Sequence, residues 1–261
     1  WGGEPPVSRV TFRVIPEVSS RTAAIVTGGV DIITNVPPDQ VPTLEDAAGV
    51  DVATVPLANV HLLRYNTNYP PLDDQQLRQA MNLAIDRELL VETLWSGMAE
   101  VPRSHQFPEY GEMYNPDRPI PEYDPDRARE LLDEVGYDGA EIVYGCANNY
   151  YTNEVAVGEA IVQMWKDIGI NASQLVNDRS INDERSSDET YTRVSSNSSI
   201  NADPDGSFWR TWGPESAVRR GYTGWDHGFW EPGERFDELA ELMRTTIDED
   251  ERAAQWREVL D

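Results

Sequence analysis

The chain has 261 residues, with 47 acidic against 21 basic side chains and a formal net charge of −26. An unbroken negative field repels phosphate, which excludes nucleic acid as a partner. With 39% hydrophobic residues and no apolar run near the roughly 18 residues of a spanning helix, the composition is globular, and the length suffices for one large domain or two small ones.

All but one of the basic residues are arginine, the exception being Lys166. Acid excess with lysine loss predicts a halophilic, acidic surface, because a dense carboxylate layer needs bulk cations to screen it; a GC-rich genome would also favour arginine. Cys146 is the single cysteine. No internal disulfide is possible, and a small buried apolar role is expected for it.

In chain order, residues 8–15 alternate polar and apolar through Val10, Phe12 and Val14, the period of a half-buried strand. A helix over 19–27 stops at Gly28-Gly29, a short strand follows at 30–33, a helix at 38–47, and strands at 50–55 and 59–66. Strands alternating with helices predict an α/β layer. Beyond Pro70-Pro71, Leu77, Ala80, Met81, Ala84 and Ile85 share one helical face, with Asp73 and Asp74 in the first turn. Asp86 is placed to cap the next helix, which runs to Trp95. A proline-rich loop spans 98–123. Asp124-Pro125 opens a helix that Gly136 closes. A strand at 140–145, a helix at 153–168, and strands at 170–176 and 191–196 follow. Two helices, 235–246 and 249–260, end the chain, the second marked by Asp248 and Glu251 at capping-box spacing. Trp95, Trp165 and Trp256 fall on apolar helix faces and are expected in the core.

Four segments carry a family resemblance: TFRVIPEVSSRTAAIVTGGVDIITNVP (11–37), LLRYNTNYPPLDDQQLRQAMNLAIDRELL (62–90), YDPDRARELLDEVGY (123–137) and NADPDGSFW (201–209). The chain resembles the large extracytoplasmic solute-binding proteins of ABC importers that take dipeptides, oligopeptides, nickel complexes and, in some branches, oligosaccharides. The most specific block joins Asn66, Pro70-Pro71, Arg78-Gln79-Ala80 and Ala84-Ile85-Asp86-Arg87. The resemblance implies a two-lobed periplasmic-binding-protein-like α/β fold that closes on its ligand. Residues 1–65 would form part of the first lobe, left incomplete, and 66–261 the second. Further N- and C-terminal parts of the family are missing, so an internal piece of a longer chain is expected. The resemblance also implies a monomer, outside the cytoplasm, that hands its solute to a membrane permease.

The charged ligand anchors of peptide-binding relatives do not carry over. Ile200 stands where the resemblance implies an aspartate for the ligand ammonium, and Asn148-Asn149-Tyr150-Tyr151 where it implies an arginine for a carboxylate. A buried ligand charge without a partner is costly, so a free zwitterionic dipeptide is a poor ligand. Neutral groups remain: Asn148, Asn149, Asn197 and Ser198 for hydrogen bonds, and Tyr150, Tyr151, Trp209 and Trp212 as flat faces. This set suits an oligosaccharide-like solute or a longer peptide held through its backbone. Asp203 and Asp205 follow the 191–196 strand and reach the expected cleft mouth, or else form a Pro-Gly turn. With Asn201 and Gly206 they begin a calcium-loop pattern, but Trp212 replaces its final glutamate, so no metal is assigned. Trp225 and Trp230 are further cleft candidates.

No catalytic residue or cofactor is expected. His61, His105 and His227 lack HExxH or triad context, and His105 is a remote candidate for a nickel complex. An acidic secreted glycoside hydrolase and a ligand-free interaction domain are the alternatives.

Overall fold

The computed structural model describes residues 3, 6–55, 57–148, 150–177, 193–200, 204–220 and 228–261, with backbone alone at 177, 193–200, 204, 205, 207 and 217. The chain divides into two compact units, Trp1–Thr54 and Val55–Asp261.

The first unit holds α1 (Val18–Val26), a 3-10 turn at Pro38–Gln40 and α2 (Val41–Glu45). Gly28 terminates α1 with φ +70°, a backbone state that glycine adopts without penalty. The Arg21 guanidinium donates to the carbonyls of Ile15 (3.0 Å), Pro16 (2.7 Å) and Asn35 (3.1 Å), tying the segments on either side of α1 together. The strands expected at 8–15, 30–33 and 50–55 are not formed. A period-two pattern needs a ladder partner before it becomes a strand, and no strand occurs among the described residues of this unit. Phe12 and Val14 consequently stand 92% exposed.

The second unit is built on a four-stranded sheet in the order β1-β4-β2-β3, with β1 Asn59–Tyr65, β2 Ile142–Ala147, β3 Ala172–Asn177 and β4 Arg193–Ile200. Strands β2, β3 and β4 are mutually parallel, while β1 runs antiparallel along β4, with His61 opposite Ser198 and Leu62 opposite Asn197. β1 pairs into this sheet and so belongs to the second compact unit. The central strand β2 is buried at five of its six positions, which explains its nearly continuous apolar run.

Eight helices are described in this unit: α3 (Gln75–Leu83), α4 (Arg87–Trp95), α5 (Pro125–Val135), α6 (Glu154–Asp167), α7 (Pro204–Trp212), α8 (Ala217–Arg220), α9 (Glu234–Thr245) and α10 (Glu249–Leu260). Asp86, Asp124 and Asp248 cap α4, α5 and α10 as expected, each accepting the N–H three residues on at 2.8–2.9 Å. Asp74 does the same for α3, so it sits at the cap rather than within the first turn. The 98–123 loop contains one 3-10 turn, Pro108–Met113.

Two apolar clusters hold the unit together. The larger joins Leu77, Ala80 and Met81 of α3, Leu131 and Leu132 of α5, Ile142 and Tyr144 of β2, and Ile161 and Trp165 of α6. Trp165 is fully buried and its indole N–H donates to the Met81 carbonyl at 2.9 Å, giving the polar handle of the ring a partner. The smaller cluster is aromatic, around Phe107, Tyr110, Phe208 and Trp256, with Met243.

Helix α6 lies unusually close to the sheet. A Cβ added at Gly158 would fall 2.6 Å from the Tyr144 ring and 2.5 Å from the Gln174 side chain. Tyr144 is itself buried, so it has little room to retreat. Gly158→Ala is expected to destabilise the protein by about 1–3 kcal/mol through overpacking, read as a lower urea midpoint with an unchanged m-value.

The surface ion pairs are built on arginine. Arg127 reaches Glu130 and Glu134, Arg235 reaches Glu238 and Glu258, and Arg219 forms a two-pronged bond with Asp237 at 2.5 and 3.0 Å that joins α8 to α9. These pairs leave most of the acid excess uncompensated, and exposed pairs are worth little individually. Thermal stability is therefore expected to rise as salt increases from about 0.1 M to about 1 M, where screening shortens from roughly 10 to 3 Å. A flat or falling melting temperature would contradict this.

Candidate functional site

Strands β2 and β4 are parallel, and each feeds a helix from its carboxyl end, β2 into α6 and β4 into α7. The polar loops beyond such strand ends are where open α/β sheets place ligands. The loop from β2 carries Asn148, Tyr150 and Tyr151. Asn148 is exposed, Tyr150 is 54% exposed, and Tyr151 is half-buried. The two phenol rings meet edge to face with centroids 4.7 Å apart.

This loop is held from behind by Glu154, the first residue of α6. Its carboxylate is 2% exposed and accepts three backbone N–H groups at 3.1 Å: Ala147 through Oε1, and Tyr150 and Tyr151 through Oε2. A carboxylate at a helix N-terminus is favoured by the dipole, and three donors offset the cost of burying it. The neighbouring Asn153 adopts φ +58° and donates its amide to the Leu94 carbonyl, fastening the loop to the end of α4.

On the strand side, His61 of β1 packs edge to face against Trp95 (5.4 Å) and Tyr151 (5.7 Å). Trp95, His61, Tyr151 and Tyr150 thus form a continuous aromatic row. Desolvation of the imidazole pushes the His61 pKa down, and the Glu154 carboxylate opposes the shift.

Of the residues expected to bind ligand, Tyr150 and Tyr151 come together on one loop with Asn148 beside them. Asn197 and Ser198 enter by register, opposite Leu62 and His61, which sets Ser198 across the ladder from the aromatic row. They lie inside β4, not after it, since the strand extends to Ile200. Asn149 and Asp203, with the side chain of Asp205, lie outside the described residues, as do Asn201, Trp225 and His227. The Pro-Gly turn expected at 204–206 is instead the first turn of α7, with Pro204 at a first helical position where its missing N–H costs nothing.

Trp209 takes its ring contacts from Phe208 (5.2 Å) and Phe236 (5.3 Å), so it belongs to the aromatic cluster rather than the tyrosine loop. Trp230 and Trp212 pack on each other at 5.7 Å. His105 is buried, edge to face against Phe208 at 5.3 Å, with no hydrogen-bond partner on either ring nitrogen among the described residues. Among the described residues no group of three or more His, Cys, Asp or Glu could hold a metal ion, and no helix is long and apolar enough to cross a membrane.

Sequence reasoning missed Glu154 and the contact of His61 with Tyr151; Trp95 packs against the larger core cluster as expected and meets His61 at its edge. Only proximity reveals the first two, because one glutamate among 47 acids carries no distinguishing pattern.

Parallel strands linked through helices, with an aromatic row at the end of β2, make this an α/β protein of open-sheet type. The model of the bacterial extracellular solute-binding proteins, family 5 Middle, matches residues 1–218, and the chain belongs to that family. It is 25% identical over 99% of its length to the dipeptide-binding protein of Escherichia coli K12, and 29% identical over 65% to the glutathione-binding protein GsiB of Salmonella choleraesuis. Those matches cover 48% and 33% of the relatives, so the chain spans about a third to a half of their length. Among solved structures, the periplasmic binding protein DppA of Helicobacter pylori in complex with the peptide STSA superposes with TM-score 0.79 at 21% identity, over 95% of this chain and 48% of that one. NikZ of Campylobacter jejuni in complex with Ni(L-His) gives 0.76 at 19%, over 95% of this chain and 51% of that one. At such identities the superpositions establish the fold alone. The glycoside-hydrolase alternative is not supported, since the family is one of non-enzymatic solute-binding components.

The two histidines make acid destabilisation testable. Desolvation lowers the pKa of both His105 and His61, against ordinary values near 6.5. Below pH 6.5 the unfolded chain therefore binds more protons than the folded one, so this contribution is full above pH 6.5 and is lost as pH falls through the lowered folded values. The urea midpoint is expected to drop between pH 7 and pH 5, and to drop less in His105→Leu.

Proposed function

We propose that this chain forms much of the ligand-gripping part of an ABC importer's substrate-binding component, which captures an oligopeptide between two lobes and delivers it to a membrane permease. On this reading residues 1–65 belong to the first lobe and 66–261 to the second, and the protein works as a monomer outside the cytoplasm. The observation that carries it is the Tyr150-Tyr151 loop, fixed beside β1 and β4 at the carboxyl end of the parallel strands.

The chemistry favours a peptide held by its backbone rather than by its ends. Asn148, Asn197 and Ser198 supply neutral donors and acceptors that match amide groups, while the tyrosine faces accept side chains without demanding one sequence. Ile200 and the Asn148–Tyr151 stretch supply no charge for a terminal ammonium or carboxylate. The relatives named for dipeptides and glutathione, and the structure with a bound peptide, support peptide over sugar. Closure reports occupancy only when the ligand binds the closed state more tightly than the open one.

The test is a thermal-shift and calorimetric screen of the full chain against oligopeptides, their acetylated and amidated forms, free dipeptides and oligosaccharides. Capped oligopeptides are expected to stabilise as well as uncapped ones, and Tyr151→Ala to weaken binding about tenfold, the equivalent of roughly 1.4 kcal/mol. A response to oligosaccharides alone, or to free dipeptides alone, would overturn the assignment.

A further inference from the structure

We propose that Glu154 is the positioning residue of the binding loop: its buried carboxylate holds the backbone of Ala147, Tyr150 and Tyr151 in the geometry that receives ligand. The inference rests on the reading of this loop as the peptide site, but the molecular role stands on its own geometry.

Three observations converge on Glu154. First, one carboxylate accepts three backbone N–H groups, one from the last residue of β2 and two from the loop that follows it, each at 3.1 Å, on both of its oxygens. Loop N–H groups left without a partner would otherwise turn to solvent or to each other, and the chain between Ala147 and Tyr151 would lose its shape. Second, the residue is 2% exposed at the start of a helix whose seat is fixed by the close approach of Gly158 to Tyr144 and by the Trp165 bond to Met81. The anchor therefore sits on a rigid element, as a positioning group must. Third, the same Tyr151 whose N–H the Glu154 carboxylate accepts meets the His61 ring at 5.7 Å, and His61 feels that carboxylate electrostatically. Asn153 pins the far end of the loop to Leu94.

Glutamine at 154 keeps the size but changes the hydrogen bonding. One of its two terminal atoms becomes an NH2 donor, which opposes the loop N–H groups that the carboxylate satisfied. Either Ala147 or the two tyrosine amides must then lose their acceptor. Hydrogen bonds to a charged acceptor are the stronger kind, so the loop should loosen without loss of the fold.

The experiment compares Glu154→Gln and Glu154→Asp with the unmodified full chain by amide hydrogen exchange, by NMR titration of His61, and by calorimetry with an acetylated, amidated alanine–serine oligopeptide. Glu154→Gln is expected to speed exchange at Ala147, Tyr150 and Tyr151 with little change in the α6 amides, and to weaken peptide binding about tenfold or more. It should also lower the His61 pKa further, because the carboxylate that favours the imidazolium is gone, a readout that general loosening of the fold would not give in that direction. Glu154→Asp, which keeps the charge, should leave His61 nearer its original titration while binding weakly. Unchanged exchange and wild-type affinity in Glu154→Gln would overturn the proposal. If the variant does not fold, the unmodified chain still decides: rapid exchange at the Tyr150 and Tyr151 amides would overturn it. If the unmodified chain binds no peptide, the reading of the site fails, while the exchange and His61 data still support or overturn the positioning role.

Discussion

The seating of α6 on β2 and β3 is the constraint on which the rest depends. A helix normally stands off a sheet by the thickness of its side chains, and here one turn is brought closer because Gly158 offers none. Tyr144 and Gln174 fill the space, and Trp165, a few turns on, locks the helix to α3 through the Met81 carbonyl. With its body fixed at two places, the helix has one position for its first residue. Glu154 therefore points its carboxylate at the loop from β2, and the tyrosines that follow inherit their placement from a packing contact well inside the core.

The same logic explains which parts of the structure were legible in the sequence. Caps and apolar faces are local, and Asp86, Asp124 and Asp248 open their helices as their spacing indicates, while Leu131, Ile161 and Trp165 turn inward. Strands are not local. Val10, Phe12 and Val14 alternate as well as any strand in the chain, yet alternation specifies a face and not a partner, and the unit that contains them supplies no ladder. Asn197 and Ser198 were not legible as strand residues, because polar serines and asparagine give β4 little strand propensity of their own; their pairing with His61 and Leu62 holds them there. Trp209 was legible as an aromatic face, but its ring contacts with Phe208 and Phe236 were not, because those neighbours meet it only in the fold.

Charge is distributed so that binding and solvation do not compete. On the helix surfaces, Arg127 and Arg235 each reach two carboxylates of the acid excess. Among the described residues of the candidate site the one buried acid, Glu154, accepts backbone donors of its own chain, while Asn148 and Tyr150 stand exposed.

The near-absence of lysine and the burial of the lone cysteine have a chemical consequence. Lys166, exposed in the last turn of α6, is the only side-chain amine in the chain, so an amine-directed dye marks the far end of the helix that begins at Glu154. Cys146, 1% exposed on the central strand, is shielded from thiol reagents while the sheet is intact. The sequence thus carries two orthogonal chemical handles, one on the outer end of the positioning helix and one that becomes reactive only when the strand beneath it opens.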